Sequence, residues 1–351
     1  MSRLNRAQTQ ERNRAKVVAA ARDEFAERGY RDAKIDAIAE RAELTRGAVY
    51  SNFPGKRALY FAVLAGLPWT VPEHPALGRS PASALGALAR AWVARFDGPD
   101  ARLGVDLFGE VLADERVRVP FTELLNLDAL LLGLALERLR PPEPGARLVR
   151  VAKAALTMLH GASRLVAAAP GFVEPFDVVS ACERLGGLSL NDFWAPPPHA
   201  PPARPCDEPW ATPSTVDLVT GEEVPLGDGM IVVLGLHRLA AAEEAVRAAY
   251  GDTVRADVTV AVVTGEPAEL DALARLVITE LTGCLRQSFP RSAWPRLRVV
   301  CDPAVATAAG LSAVSDATEA AIHVANGRIV TRADGTGAAH AVATAGPKAR
   351  R

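Results

Sequence analysis

Apolar positions follow a helical period from residue 9 to residue 185, then shift to short strand-like runs after residue 215. Val17, Ala21 and Phe25 recur every four residues with Val18 beside them, one stripe on a helix that ends at Gly29. Ile35, Ile38 and Ala39 give a second, short helix its buried face. Ala42-Glu43-Leu44 makes a tight turn, and Thr45 is a good N-cap for a third helix over 46–52. Pro54-Gly55 breaks the chain, and Lys56 opens a fourth helix carrying Leu59 and Val63. A short helix, a three-residue turn and a second short helix predict a helix-turn-helix unit. Further helices are predicted at 82–96, 101–114, 121–140, 146–168 and 176–186.

Residues 191–213 hold Pro196, Pro197, Pro198, Pro201, Pro202, Pro205, Pro209 and Pro213. Such a stretch sustains neither a helix nor a central strand and predicts a semi-stiff spacer. Beyond it MIVVLGL (230–236), VTVAVV (258–263) and LRVVC (297–301) are β-branched runs separated by helical stretches at 239–250 and 267–286. That alternation predicts a layered α/β domain. AIHVANGRIV (321–330) predicts a hairpin around Asn326-Gly327, and the tail after Gly337 is expected to be loose. The predicted organisation is a helix-turn-helix domain over 1–66, a helical domain over 67–190, a linker over 191–213 and an α/β domain over 214–345, the last expected to fold on its own.

A length of 351 residues allows two or three domains. No apolar run approaches the ~18 residues of a membrane span, and the polar, basic N-terminus is not a secretory signal, so a cytoplasmic protein without a membrane partner is expected. Four cysteines (Cys182, Cys206, Cys284, Cys301) show neither a disulfide nor a zinc spacing. His74, His160, His199, His237, His323 and His340 are too scattered to define a metal site, and no cofactor is predicted. The net charge of −1 hides an asymmetry: residues 1–66 carry 13 Lys and Arg against 8 Asp and Glu, whereas 191–351 carry 14 against 19. A basic N-terminal segment on an acidic chain points to a polyanion contact there.

The basic first helix ending in Gly29-Tyr30, the IxxIAxxA core, the capped TRGAVYSNF helix and the Phe53-Pro54-Gly55-Lys56 corner together resemble the DNA-binding domain of TetR-family regulators. A recognition helix lies in the major groove with its N-terminal residues at the base edges; here those are Thr45, Arg46, Gly47 and Ala48. Arg46 has the fork that reads O6 and N7 of guanine. The resemblance implies that Tyr50, Ser51 and Lys56 lie at the DNA, with Tyr50 and Lys56 on phosphates. Lys34 stands where the family usually has Thr or Ser, and Glu43 where it often has Gly, so the turn is expected to carry left-handed strain. The resemblance also implies a homodimer on a double-stranded operator and an unknown small-molecule effector. Leu148, Val151, Ala155, Leu159 and Ala162 fall on a helix at the family's dimerisation position, and Trp92, Phe96, Phe108 and Leu125 are candidate effector-lining residues.

The C-terminal order of hairpin, strand, helix, strand, long helix, strand, short helix and hairpin, with VDLVTGEEVPL (216–226) and CDPAVATAAGL (301–311), resembles a thioredoxin-like fold of the peroxiredoxin or membrane-tethered thioredoxin type. The family's cysteine at the start of the helix after the first core strand is absent: GLHRLAAAEEA (235–245) offers only His237 and Arg238 there, which an anion would suit. Function follows the site rather than the fold. The expected protein is therefore a TetR-like regulator, a repressor in sense, with a non-enzymatic thioredoxin-like domain. The alternatives are a regulator sensing oxidants through Cys284 or Cys301, and a thiol oxidoreductase fused to a DNA-binding domain.

Overall fold

Gly29 interrupts the first helix, α1 (Arg6–Asp32), with a φ of 74° that glycine adopts without strain. The computed structural model describes residues 6–67, 77–96, 102–139, 147–249 and 257–345; His74, the first residue of the 101–114 helix, and the junctions at 140, 146 and 250 lie outside them. α2 (Ile35–Arg41), α3 (Arg46–Asn52) and α4 (Lys56–Ala65) complete the N-terminal head. The predicted stripes meet in its core, where Val17, Ala21, Phe25, Ile38, Val49 and Leu59 are buried together.

The helical body comprises α5 (Pro81–Val93), α6 (Leu107–Ala113), α7 (Glu115–Leu139), α8 (Val149–Ala168) and α9 (Pro175–Leu185). α5 starts on a reciprocal Ser80–Ser83 capping box with Pro81 just inside. α7 begins six residues earlier than predicted and runs through Pro120. The proline falls in the second turn, where it removes one backbone donor without ending the helix. By length and composition α7 is apolar enough to cross a membrane, but 72% of its most apolar stretch is buried inside the protein.

The C-terminal region is a mixed sheet with helices. β1 (Arg204–Pro209), β2 (Ser214–Asp217), β3 (Glu222–Pro225), β4 (Gly229–Gly235), α10 (Ala241–Ala249), β5 (Val258–Val263), α11 (Pro267–Ser288), β6 (Leu297–Val300), α12 (Pro303–Ala308), β7 (Glu319–Ala325), β8 (Arg328–Asp334) and α13 (Ala338–Thr344) follow in order. The six-stranded sheet runs β1-β8-β7-β4-β5-β6; β4, β5 and β6 are parallel, and β7, β8 and β1 form its antiparallel side. β2 and β3 pair apart from it. Asn326 (φ 53°) and Gly327 (φ 70°) turn the β7–β8 hairpin with two positive φ values, and the Asp228 carboxylate accepts both of their amides at 2.9 and 3.2 Å.

Three expectations change. The 191–213 segment is not only a spacer: β1 lies within it and pairs with β8, its prolines tolerated because it is the edge strand. The tail beyond Gly337 is the helix α13, whose Ala338, Ala339 and Val342 are buried. The α/β domain is also not separate. α11 packs against α4, α5 and α7 more extensively than against its own strands. One sheet face, with Met230, Val232 and Leu234, shares a continuous core with the helical body, while Ile231, Val233 and Ala261 on the other face form a smaller core with α12 residues. Polar contacts cross the same boundary: Arg57 with Glu269, Arg95 with Glu280 at 2.5 Å, Arg147 with Glu243 at 2.5 Å and Arg247 with Glu137 at 2.7 Å. The sequence showed two kinds of pattern on either side of a proline run, and periodicity does not report which faces meet.

Candidate nucleic-acid interface

The turn between α2 and α3 closes on backbone hydrogen bonds from Glu43 to Glu40 (3.0 Å) and from Leu44 to Ala39 (2.9 Å). Glu43 takes φ 56°, the left-handed geometry expected where the family has glycine. Thr45 caps α3: its Oγ1 accepts the Ala48 amide at 3.2 Å. Val49 and Phe53 bury the inner side of α3, so Thr45, Arg46, Gly47, Tyr50 and Ser51 are left on the exposed side, with Ala48 half-buried. A Cβ at Gly47 would meet nothing nearer than Thr45 Oγ1 at 3.9 Å, so the missing side chain leaves the helix surface flat rather than filling an internal need.

Arg46 reaches back to Asp36 at 3.2 Å and lies 5.6 Å from the Tyr50 ring. Both contacts are at the surface, where an ion pair contributes little, so the guanidinium is held at the exposed leading end of α3 at small cost to its release. The Ser51 hydroxyl donates to the Ala48 carbonyl at 2.9 Å and keeps its lone pairs outward. Lys34 is exposed at the N-cap position of α2, where its side chain makes no capping bond. Lys56 donates to the Arg31 carbonyl at 3.0 Å and sits 4.7 Å over the Tyr30 ring, which leaves it further N–H donors. Burial pulls its ammonium pKa down against the pull of Glu110, Asp32 and neighbouring carboxylates.

Two further residues support the head: Arg14, which was not singled out from sequence, and Tyr30, which entered only as the end of the first helix. Arg14 on α1 donates to the Asn52 carbonyl at 3.4 Å and stacks 4.4 Å over Phe53, tying the first helix to the end of α3. Its place in a polar stretch gave no signal. Tyr30 joins the head to the body: its hydroxyl donates to Glu110 on α6 at 2.8 Å, and its ring lies 4.6 Å from Tyr60. The Tyr60 hydroxyl, itself buried, donates to the Leu103 carbonyl.

The other candidates divide. Trp92 and Phe108 come together around the His160 ring, at 5.0 and 6.0 Å, while Phe96 and Leu125 pack at the edge of the same core. The predicted dimerisation stripe lies inside the single chain. Val151, Ala155, Leu159 and Ala162 are buried within one chain and Leu148 is half-buried beside them; α8 packs on α7, α9 and α5. The large apolar residues left exposed nearby are Leu165, Phe172 and Phe176. Arg238 is not available to an anion, since it donates to Glu319 at 2.9 Å, and the Ala240 amide donates to Glu123 of α7 at 3.0 Å.

Cys182, Cys284 and Cys301 are buried, and burial pushes their thiols up to about 11, 12 and 12. Cys206 is half-buried and donates to the Ile329 carbonyl at 3.4 Å. Titration of the native protein with a thiol reagent at pH 8 is therefore expected to consume one thiol rapidly, and all four after denaturation. Rapid native reaction at Cys284 or Cys301 would show that their burial is not maintained.

Residues 17–63 match the family described as bacterial regulatory proteins, tetR family. The chain is 43% identical over 75 residues to the HTH-type transcriptional regulator SrpR of Pseudomonas putida, which is 21% of this chain and 32% of that protein. It is also 43% identical over 75 residues to TtgW, an uncharacterized HTH-type transcriptional regulator from a strain of Pseudomonas putida, over 21% of this chain and 52% of that protein. The match thus spans about a third to a half of these relatives. A TetR transcriptional regulator from Rhodococcus sp. RHA1 aligns at 17% identity over 52% of this chain and 99% of its own, with a TM-score of 0.35. The N-terminal head is a TetR-family DNA-binding domain.

Proposed function

We propose that the whole chain is a TetR-type transcriptional regulator: a cytoplasmic homodimer that represses by binding a double-stranded operator and releases it when a small molecule binds the helical body. The observation that carries this reading is α3, capped at Thr45 and held by the Glu43 turn with Thr45, Arg46 and Gly47 exposed at its leading end. Those groups stand where a recognition helix meets base edges. The +5 balance of residues 1–66 supports the polyanion partner.

A dimer reads two half-sites about one helical turn apart. The surface that supports it is the end of α8 and the start of α9, where Phe172 and Phe176 are 73% and 72% exposed and Leu165 lies close in sequence. An exposed apolar patch of this kind suits a two-fold pair. The double variant Phe172→Ser/Phe176→Ser is expected to sediment as a monomer and to lose at least tenfold in operator affinity. An unchanged dimer would move the interface elsewhere.

The α/β domain reads as thioredoxin-like, supported by a parallel β4-α10-β5-α11-β6 unit with the β7–β8 hairpin antiparallel beside β4. The reading assigns it no reaction, because neither α10 nor the residues before it supply a thiol. Its role is mechanical. α11 lies against α4, the helix that connects the DNA-binding head to the body, and Arg57 on α4 bonds both Glu269 of α11 and Asp114, the latter at 3.0 Å. A shift of α11 therefore shifts α4, and an effector acts only through different affinities for the two placements. The direct test is binding of the purified chain to selected genomic fragments, with and without the head.

A further inference from the structure

Asp36 is the acid in the first turn of α2, and its side chain is 69% exposed. A carboxylate there favours the helix through the positive end of its dipole, whichever way the side chain turns. It turns to α3. Both of its oxygens lie against one nitrogen of Arg46, ten positions along the chain, with Oδ1 at 3.2 Å and Oδ2 at 3.4 Å from Nη1. The cation it meets is therefore the one at the exposed leading end of α3.

A guanidinium holds five N–H groups in a planar fork. Asp36 takes the Nη1 corner, which leaves Nε and Nη2 as a side-on pair, beside the Tyr50 ring 5.6 Å from the guanidinium carbon. Two such donors match the O6 and N7 acceptors of guanine. Those acceptors carry no net charge, so a base can be read with the carboxylate still in place. A phosphate is an anion, and it would approach a guanidinium whose charge Asp36 already offsets. The pair contributes little to stability, but its charge stays beside Arg46 when DNA arrives, well inside the screening length of about 10 Å at 0.1 M salt. Glu43 gives the contrast: it is a second exposed acid of the head, paired at 3.6 Å with Lys16 on α1 and not with α3.

We infer that Asp36 sets the specificity of the head by acting through Arg46. It is a positioning residue whose carboxylate disfavours phosphates, the sequence-independent part of binding, and leaves the side-on fork for guanine. This rests on the base-reading role proposed for Arg46.

The test uses the full chain and fluorescence anisotropy on two duplexes of equal length, one recovered by selection from genomic DNA and one of random sequence, at several salt concentrations. Asp36→Asn, isosteric and uncharged, is expected to bind random DNA at least threefold more tightly, with the salt dependence increased by about one phosphate contact per head. Affinity for the recovered sequence is expected to change less than twofold, so the ratio of the two falls. Asp36→Glu is expected to keep the parent ratio, and because position 36 is exposed both variants should melt as the parent does. In an Arg46→Ala background Asp36→Asn is expected to leave the ratio where it stands, and Glu43→Gln to shift both duplexes alike. Loss of general repulsion raises both affinities together and leaves the ratio alone. A ratio unchanged in Asp36→Asn, or lowered equally when Arg46 is absent, therefore overturns the inference. If Arg46→Ala loses preference while Asp36→Asn keeps it, this inference fails and base reading by Arg46 stands. If Arg46→Ala keeps full preference, base reading fails and this inference falls with it.

Discussion

A chain ending at residue 190 is expected not to fold. Leu270, Leu273, Leu276, Val277, Ile278, Leu281 and Leu285 of α11 are buried in the core they share with the head and the helical body. At even the low end of about 1.5 kcal/mol for each buried side chain, their removal costs on the order of 10 kcal/mol, comparable with the whole stability of a typical domain. The deletion also strips Glu269 from Arg57 and Glu280 from Arg95, half-buried charges that lose their partners. Residues 1–190 should therefore be insoluble or melt without a cooperative transition, and residues 213–345 should expose the outer side of α11 and aggregate. A cooperative melt of either fragment, matching the full chain, would show that the two parts are independent after all.

Arg46→Ala is expected to weaken specific binding by about 1–3 kcal/mol and to relax discrimination at one base pair in each half-site. Its contacts in the free protein, to Asp36 and Tyr50, are exposed, so the fold should be unaffected. Lys56→Ala is expected to act differently. It removes the cation proposed for a phosphate contact and also the bond to the Arg31 carbonyl that holds the end of α1 against α4. Binding should fall on all sequences alike, with the salt dependence reduced by about one phosphate contact. Competition titrations against random DNA at several salt concentrations separate the two. Equal sequence preference in Arg46→Ala and the parent would take base reading away from Arg46.

Local rules made the head legible. Thr45 announces its helix, Pro54-Gly55 ends it, and Glu43 in the turn foretold the positive φ that it adopts. The β7–β8 hairpin was equally plain, because Asn-Gly accepts two positive φ values at little cost. Partnership between faces was not legible. α8 has an inward stripe and an exposed end, and a helical period marks apolar positions without saying whether they meet α7 or a second chain. α11 did carry a signal that went unread. Its buried positions include Thr282, Gly283, Gln287 and Ser288 as well as the aliphatic stripe. A helix whose buried positions spread well beyond one stripe is enclosed rather than laid on one sheet.

In the proposed reading the chain engages DNA through α3 as a two-fold pair. Selection of genomic fragments by the purified full-length protein, followed by fluorescence anisotropy on the recovered sequences at physiological salt, tests it most directly. The expected fragments share a dyad-symmetric site with half-sites about one helical turn apart and are bound at least a thousandfold more tightly than random DNA, with Arg46→Ala losing preference at one position of each half-site. Recovered fragments with no shared dyad, bound no better than random DNA, would contradict it.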